Sequence, residues 1–170
     1  MYIYDWEEVI EEGSARIIIP RMEFYKRPDH VYEPAWSPVF YNPHMRISRD
    51  TTILVVKTIF GNRDFFFIDA LAGTGVRGIR IALEIGGRGV LNDVDPIAYY
   101  YIRRNIEFNN VGDKLVAFHS EANGLFNYFT FTGIPVDYVD LDPYGSPIPF
   151  IDSAVKPLSK NAVIGVSATD

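Results

Sequence analysis

The segment Asp140-Leu141-Asp142-Pro143-Tyr144-Gly145-Ser146-Pro147 carries the residue types for chemistry on an exocyclic amine. The Asp142 carboxylate can accept a hydrogen bond from such an amine, leave its lone pair more available and give the proton somewhere to go. Pro143 fixes the turn, and Tyr144 offers a ring on which a base can stack, a contact typically of about 1–3 kcal/mol. Asp140 reads as an organiser of this loop, and an ordinary Pro/Gly turn with a capping Asp is the competing reading of the segment. A second cluster, Gly73-x-Gly75-x-x-Gly78, has the spacing of a dinucleotide fingerprint, and Asp93 follows where an acid would bind ribose hydroxyls. Asp69 stands shortly before those glycines. Its charge would repel a pyrophosphate but attract the ammonium of an amino-acid tail, which favours S-adenosylmethionine over NAD. The alternative is that Asp69 merely caps the loop. Glu121, with Ala122 and Asn123 after it, could hold an adenine amino group or simply be solvated. Asp95 reads mainly as a helix cap ahead of Pro96.

These residues need strand tips and helix starts to hold them, and the chain from residue 50 onward supplies both. Phe65–Ile68 is a continuous apolar run that leads into the glycine loop and a helix over Ile79–Ile85. Gly89–Leu91 begins a second strand, and Asp95-Pro96 opens a helix to Phe108. Leu115–Phe118, Val136–Val139 and Ala162–Val166 read as further strands, separated by helices over Ala122–Phe131 and about Pro147–Lys156. Strand and helix in alternation imply a doubly wound α/β fold on a parallel sheet, with the chemistry at the carboxyl ends of the strands. Either the last strand is an uncovered edge or the chain is a fragment, and the expectation is a fragment. Thr51–Phe60 reads as a helix with Asp50 as its N-cap. Residues 1–50 read as an extended arm with one or two short strands, one of them within Gly13–Pro20, because prolines such as Pro34, Pro38 and Pro43 exclude a long helix.

A chain of 170 residues, 48% hydrophobic and 22% charged, has the make-up of one globular domain and excludes disordered, collagen-like and coiled-coil classes. No uncharged stretch reaches the ~18 apolar residues of a membrane span. The first residues resemble no secretory signal, so the expectation is a cytoplasmic protein without a membrane partner. The absence of cysteine excludes thiolate zinc sites and a Cys nucleophile, and no metal is expected. A net charge of −6 lacks the basic excess of a free-standing nucleic-acid binder, so the substrate is small or the affinity for nucleic acid arises elsewhere.

Taken in order, Glu12-Gly13-Ser14-Ala15-Arg16-Ile17, Val39-Phe40-Tyr41-Asn42-Pro43-x-Met45, Ser48-Arg49-Asp50, the run Asp69–Arg80, Asn92-Asp93, Ala122-Asn123 and Asp142–Pro147 resemble the archaeal and eukaryotic tRNA (guanine-N2-)-dimethyltransferases. The resemblance implies a Rossmann-like class I methyltransferase with strand order 3-2-1-4-5, using S-adenosylmethionine to methylate the N2 amine of guanine 26 in tRNA. It places Arg49 and Arg77 near the cofactor, Asp93 on its ribose and Glu121 with Ala122 beside its adenine. It puts Asp142 on the guanine amine and Pro143 and Tyr144 against the base. The family commonly has Phe at the place of Tyr144, Asn at that of Ser48 and often Asp at that of Glu121. Its members continue through further strands and a C-terminal domain, so tRNA recognition is expected to need more than these residues. A cofactor-binding module without turnover and an NAD-dependent oxidoreductase are the competing classes.

Overall fold

The computed structural model describes residues 2–61 and 63–168. A hairpin opens the chain: β1 (Glu7–Glu12) and β2 (Ala15–Pro20) pair antiparallel, with Ile10 opposite Ile17. Short 3-10 turns follow, and the one at Pro43–Met45 runs directly into α1 (Arg46–Phe60). The helix thus starts ahead of the expected Thr51, and the cap assignment for Asp50 is corrected. Asp50 lies inside the helix, Met45 occupies the N-cap position, and the entering turn is capped by Asn42, whose side chain accepts from the His44 N–H at 2.9 Å.

Alternation then sets in: β3 (Phe66–Asp69), α2 (Val76–Glu84), β4 (Arg88–Asp93), α3 (Pro96–Phe108), β5 (Leu115–His119), α4 (Ala122–Thr132), β6 (Val136–Leu141), α5 (Ile148–Ala154) and β7 (Leu158–Val166). The strands form a five-stranded parallel sheet in the order β5-β4-β3-β6-β7, which is 3-2-1-4-5 when its own strands are counted. This is the doubly wound arrangement expected, with β7 at one edge. It reaches back to Leu158, further than the apolar Ala162–Val166 alone suggests.

Successive side chains of a strand face opposite sides, and the sheet separates two cores by that rule. Phe67, Leu91 and Tyr138 face one side with Ile53, Val56 and Phe60 of α1, Ile79 of α2 and Ile102 of α3. Ile68, Val90 and Val139 face the other with Leu125, Phe126 and Phe129 of α4 and Ala154 of α5. The hairpin is built into the first core: Ile17 and Ile19 pack there, while Ile18 turns the other way against Val39, Ala98 and Tyr101. No described helix is long and apolar enough to cross a membrane.

Candidate active site at the strand tips

Parity along the two central strands places the acids. Asp69 ends β3 on the same face as Phe67, and it is the register partner of Asp140 on β6, which shares a face with Tyr138. Two carboxylates therefore sit side by side, buried, at the carboxyl ends of adjacent strands. Burial raises the Asp69 carboxyl well above the usual carboxylate range and neighbouring Asp140 raises it further; Arg77 works against both. Asp140 is raised as well, again chiefly by burial. Its Oδ1 accepts from the Tyr138 hydroxyl at 2.7 Å, and its Oδ2 lies 2.9 Å from Arg77 Nε. That second contact is an ion pair by proximity only. Its angle makes no hydrogen bond, so Oδ2 remains a buried acceptor without a donor.

Arg77, at the start of α2, ties the acids together. Its Nη2 donates to Asp142 Oδ2, and its Nη1 donates to the Thr52 hydroxyl of α1 at 2.6 Å. Asp142 follows Leu141, the last residue of β6, and is thereby fixed at the mouth of a pocket of about 600 Å³. Phe40, Tyr41, Arg49, Asp69, Gly73, Thr74, Arg77, Asp93, Asp140, Asp142, Pro143 and Tyr144 all line it. Tyr144 is 86% exposed, and its ring meets that of Phe40 edge to face with centroids 6.1 Å apart. The pair forms an aromatic lip beside the Asp142 carboxylate.

The glycine loop is held from below. Gly73 has φ +53, a conformation that L side chains rarely adopt, and a Cβ there would come within 3.0 Å of the Phe40 carbonyl oxygen. Asp93 Oδ2 accepts from the Gly73 N–H at 2.9 Å, while its Oδ1 accepts from the Asp95 N–H. Asp95 in turn caps α3 by accepting from Ile97 N–H at 2.7 Å. Asn105 of α3 bonds the Thr74 carbonyl and both backbone groups of Ile18, so the hairpin braces the loop. Asn92 spans the carbonyls of Ala70 and Ser120. These positioning amides gave no spacing signal in the sequence, and neither did the Phe40 contribution to the lip.

Gly75, Glu121 and Ala122 lie outside the pocket lining. Gly75 is the N-cap of α2, with φ 80. Glu121 caps α4, its carboxylate accepting from the Gly124 N–H at 2.9 Å and from the Asn123 amide at 3.0 Å, and Ala122 is buried at the start of that helix. Asp69 accepts from the Gly78 N–H at 3.2 Å, so it does bond one loop-side amide while lining the pocket.

Residues 13–170 match the N2,N2-dimethylguanosine tRNA methyltransferase family. The chain belongs to that family. Among relatives of known assignment, the tRNA (guanine(26)-N(2))-dimethyltransferase of Metallosphaera sedula is 42% identical over 165 residues, 96% of this chain and 40% of the relative. Among solved structures, Trm1 of Pyrococcus horikoshii in complex with S-adenosyl-L-methionine superposes with a TM-score of 0.79 at 33% identity, covering 96% of this chain and 43% of that one. The tRNA m1G37 methyltransferase of M. jannaschii shares the fold at a TM-score of 0.70 and 16% identity. The chain thus spans about two fifths of the length of the curated relatives it matches. The fold is that of the class I methyltransferases, and the strand order agrees with it.

Proposed function

We propose that this chain is the S-adenosylmethionine-binding part of an enzyme that methylates the N2 amine of guanine 26 in tRNA. The observation that carries the reading is the pair of buried carboxylates at the tips of β3 and β6, which line one pocket together with Gly73 and Thr74 of the glycine loop. Such a floor suits a cationic amino-acid tail and opposes a pyrophosphate, which argues against NAD. The pocket volume of about 600 Å³ lies within the range usual for a small-molecule site.

In this reading Asp69 would receive the ammonium, Arg49 and Arg77 the tail and Asp93 the ribose; Glu121 and Ala122, outside the pocket lining, are assigned to the adenine. The cofactor-binding domain expected over 51–170 begins with α1 at Arg46, and the arm before it supplies one wall of the site. When bound, S-adenosylmethionine supplies an electrophilic methyl group on a sulfonium. Tyr144 offers its exposed ring to stack on a flipped-out guanine at the lip, and Phe40 supports that ring edge to face. Pro143 stiffens the turn that carries Tyr144. Asp142 accepts a hydrogen bond from the guanine N2, turns its lone pair inward and then takes the proton released. Arg77 fixes the direction of that carboxylate. The gain comes mainly from proximity and alignment. A second round on the same nitrogen gives dimethylguanine where the pocket admits the first methyl. A tRNA substrate accords with a cytoplasmic location.

The test is a chimera in which this chain replaces the matching segment of the M. sedula relative. Given methyl-labelled S-adenosylmethionine, it should label tRNA with guanine at position 26 and leave an adenine-26 transcript unlabelled. The Asp142→Ala chimera should bind the cofactor within about threefold of the parent yet transfer no methyl, the pattern of a group used only in the transition state. A chimera that binds the cofactor but labels both transcripts, or neither, would refute the substrate.

A further inference from the structure

The two guanidinium groups on the pocket wall differ in what they have left to offer. Arg77 donates through Nη1 and Nη2 to Thr52 and Asp142, and its Nε is ion-paired with Asp140, so its charge is already met by two carboxylates. Arg49 commits Nε and Nη2, and its Nη1 makes no hydrogen bond among the described residues. Four carboxylates, Asp69, Asp93, Asp140 and Asp142, line the same pocket, so among its side chains Arg49 is the cation left to receive an anionic group.

The group that aims Arg49 is remote from the pocket lining. Glu12, the last residue of β1, is 1% exposed. Its Oε1 accepts from Arg49 Nε and its Oε2 from Arg49 Nη2, both at 2.6 Å. Nη2 also donates to the Asn42 carbonyl at 3.1 Å, and the guanidinium lies over the Tyr41 ring. The Tyr41 hydroxyl returns to Glu12 Oε2 at 3.0 Å, so the carboxylate holds both the cation and the ring beneath it. Arg80 Nη1 approaches Oε1 at 3.0 Å and continues to Asp50 and Glu84. This second half of the cluster clasps the hairpin to α1 and α2 without touching Arg49.

We propose that Glu12 is a positioning residue: by its two-point grip on Nε and Nη2 it presents Nη1 of Arg49 to the carboxylate of the cofactor's amino-acid tail. The inference rests on the S-adenosylmethionine reading above. A planar guanidinium gripped on one edge has its remaining N–H groups fixed in direction, which is what recognition of a carboxylate requires. A purely structural clasp would act equally on all ligands of the pocket, whereas an aimed Arg49 acts only on ligands that carry the tail.

Calorimetric titration with S-adenosylmethionine and with 5′-methylthioadenosine, the same nucleoside without the amino-acid tail, separates these roles. Glu12→Gln should weaken S-adenosylmethionine by about tenfold or more and leave methylthioadenosine within about twofold, as for loss of one charge-assisted contact. Glu84→Gln, in the clasp but away from Arg49, should leave both ligands unchanged. If Glu12→Gln does not fold, Glu12→Asp, which keeps the charge but draws the grip back, carries the same test of ratios. Equal loss of both ligands, no loss of either, or an equal effect from Glu84→Gln would overturn the assignment. A parent chain that binds neither ligand would overturn the cofactor reading itself, and the inference with it.

Discussion

Asp69 and Asp93 are both acids at strand tips, yet their surroundings give them opposite behaviour. Asp93 has each oxygen bonded to a backbone amide of the loops it joins, so it serves as a fixed acceptor. Asp93→Ala should therefore weaken S-adenosylmethionine by about tenfold or more, through loss of a ribose contact and of the Gly73 brace, with turnover at saturating cofactor much less affected. Equilibrium binding beside kcat at saturation reads the two effects apart. Asp69 is raised by burial and by Asp140. A carboxyl whose pKa is higher folded than unfolded adds stability below its unfolded value, and loses it as pH rises through the folded one. The ionised form is thus the disfavoured one in the empty pocket, and an arriving ammonium reverses that. On the acid side of neutrality, binding should release a proton, seen as a dependence of the calorimetric enthalpy on the buffer's ionisation heat, and Asp69→Asn should remove most of it. Proton uptake in the parent chain would contradict the assignment of Asp69.

Elements differ in how openly the sequence declares them. The helix over Pro96–Phe108 begins and ends where the Asp95-Pro96 pair and Asn109 say it should, because cap chemistry is local. Asp95→Ala should lower stability by about 1 kcal/mol, the usual worth of an N-cap, measured by denaturant unfolding. The start of α1 is less legible, since the helix is entered through a 3-10 turn and the informative pair is Asn42-Pro43, not Asp50. The first hairpin strand is the least legible. Its residues, Glu-Glu-Val-Ile-Glu-Glu, do not read as a buried strand, yet Glu7 and Glu12 are among the most buried groups of the chain. They are tolerated there because Arg104 pairs with Glu7, and Arg49 and Arg80 pair with Glu12. Partners that far apart along the chain leave no periodic trace.

At the scale of the whole molecule, the alternation of strand and helix sufficed to give a doubly wound parallel sheet, because right-handed crossovers leave few ways to wind one, while the strand order itself was legible only through the family resemblance. The pocket wall drawn from residues 40–49 was legible only as a resemblance: nothing in Phe40, Tyr41 or Arg49 taken singly says that the arm folds back over the strand tips. The acids gathered on the pocket floor favour a cationic ligand at the centre. Titration of the 170-residue chain with S-adenosylmethionine and, separately, with NAD is the most direct test of that preference. S-adenosylmethionine should bind one to one, weakened by Asp69→Asn and Asp93→Ala, while NAD gives no saturable heat. Saturable NAD binding with no response to S-adenosylmethionine would contradict a methyl-donor pocket at these strand tips.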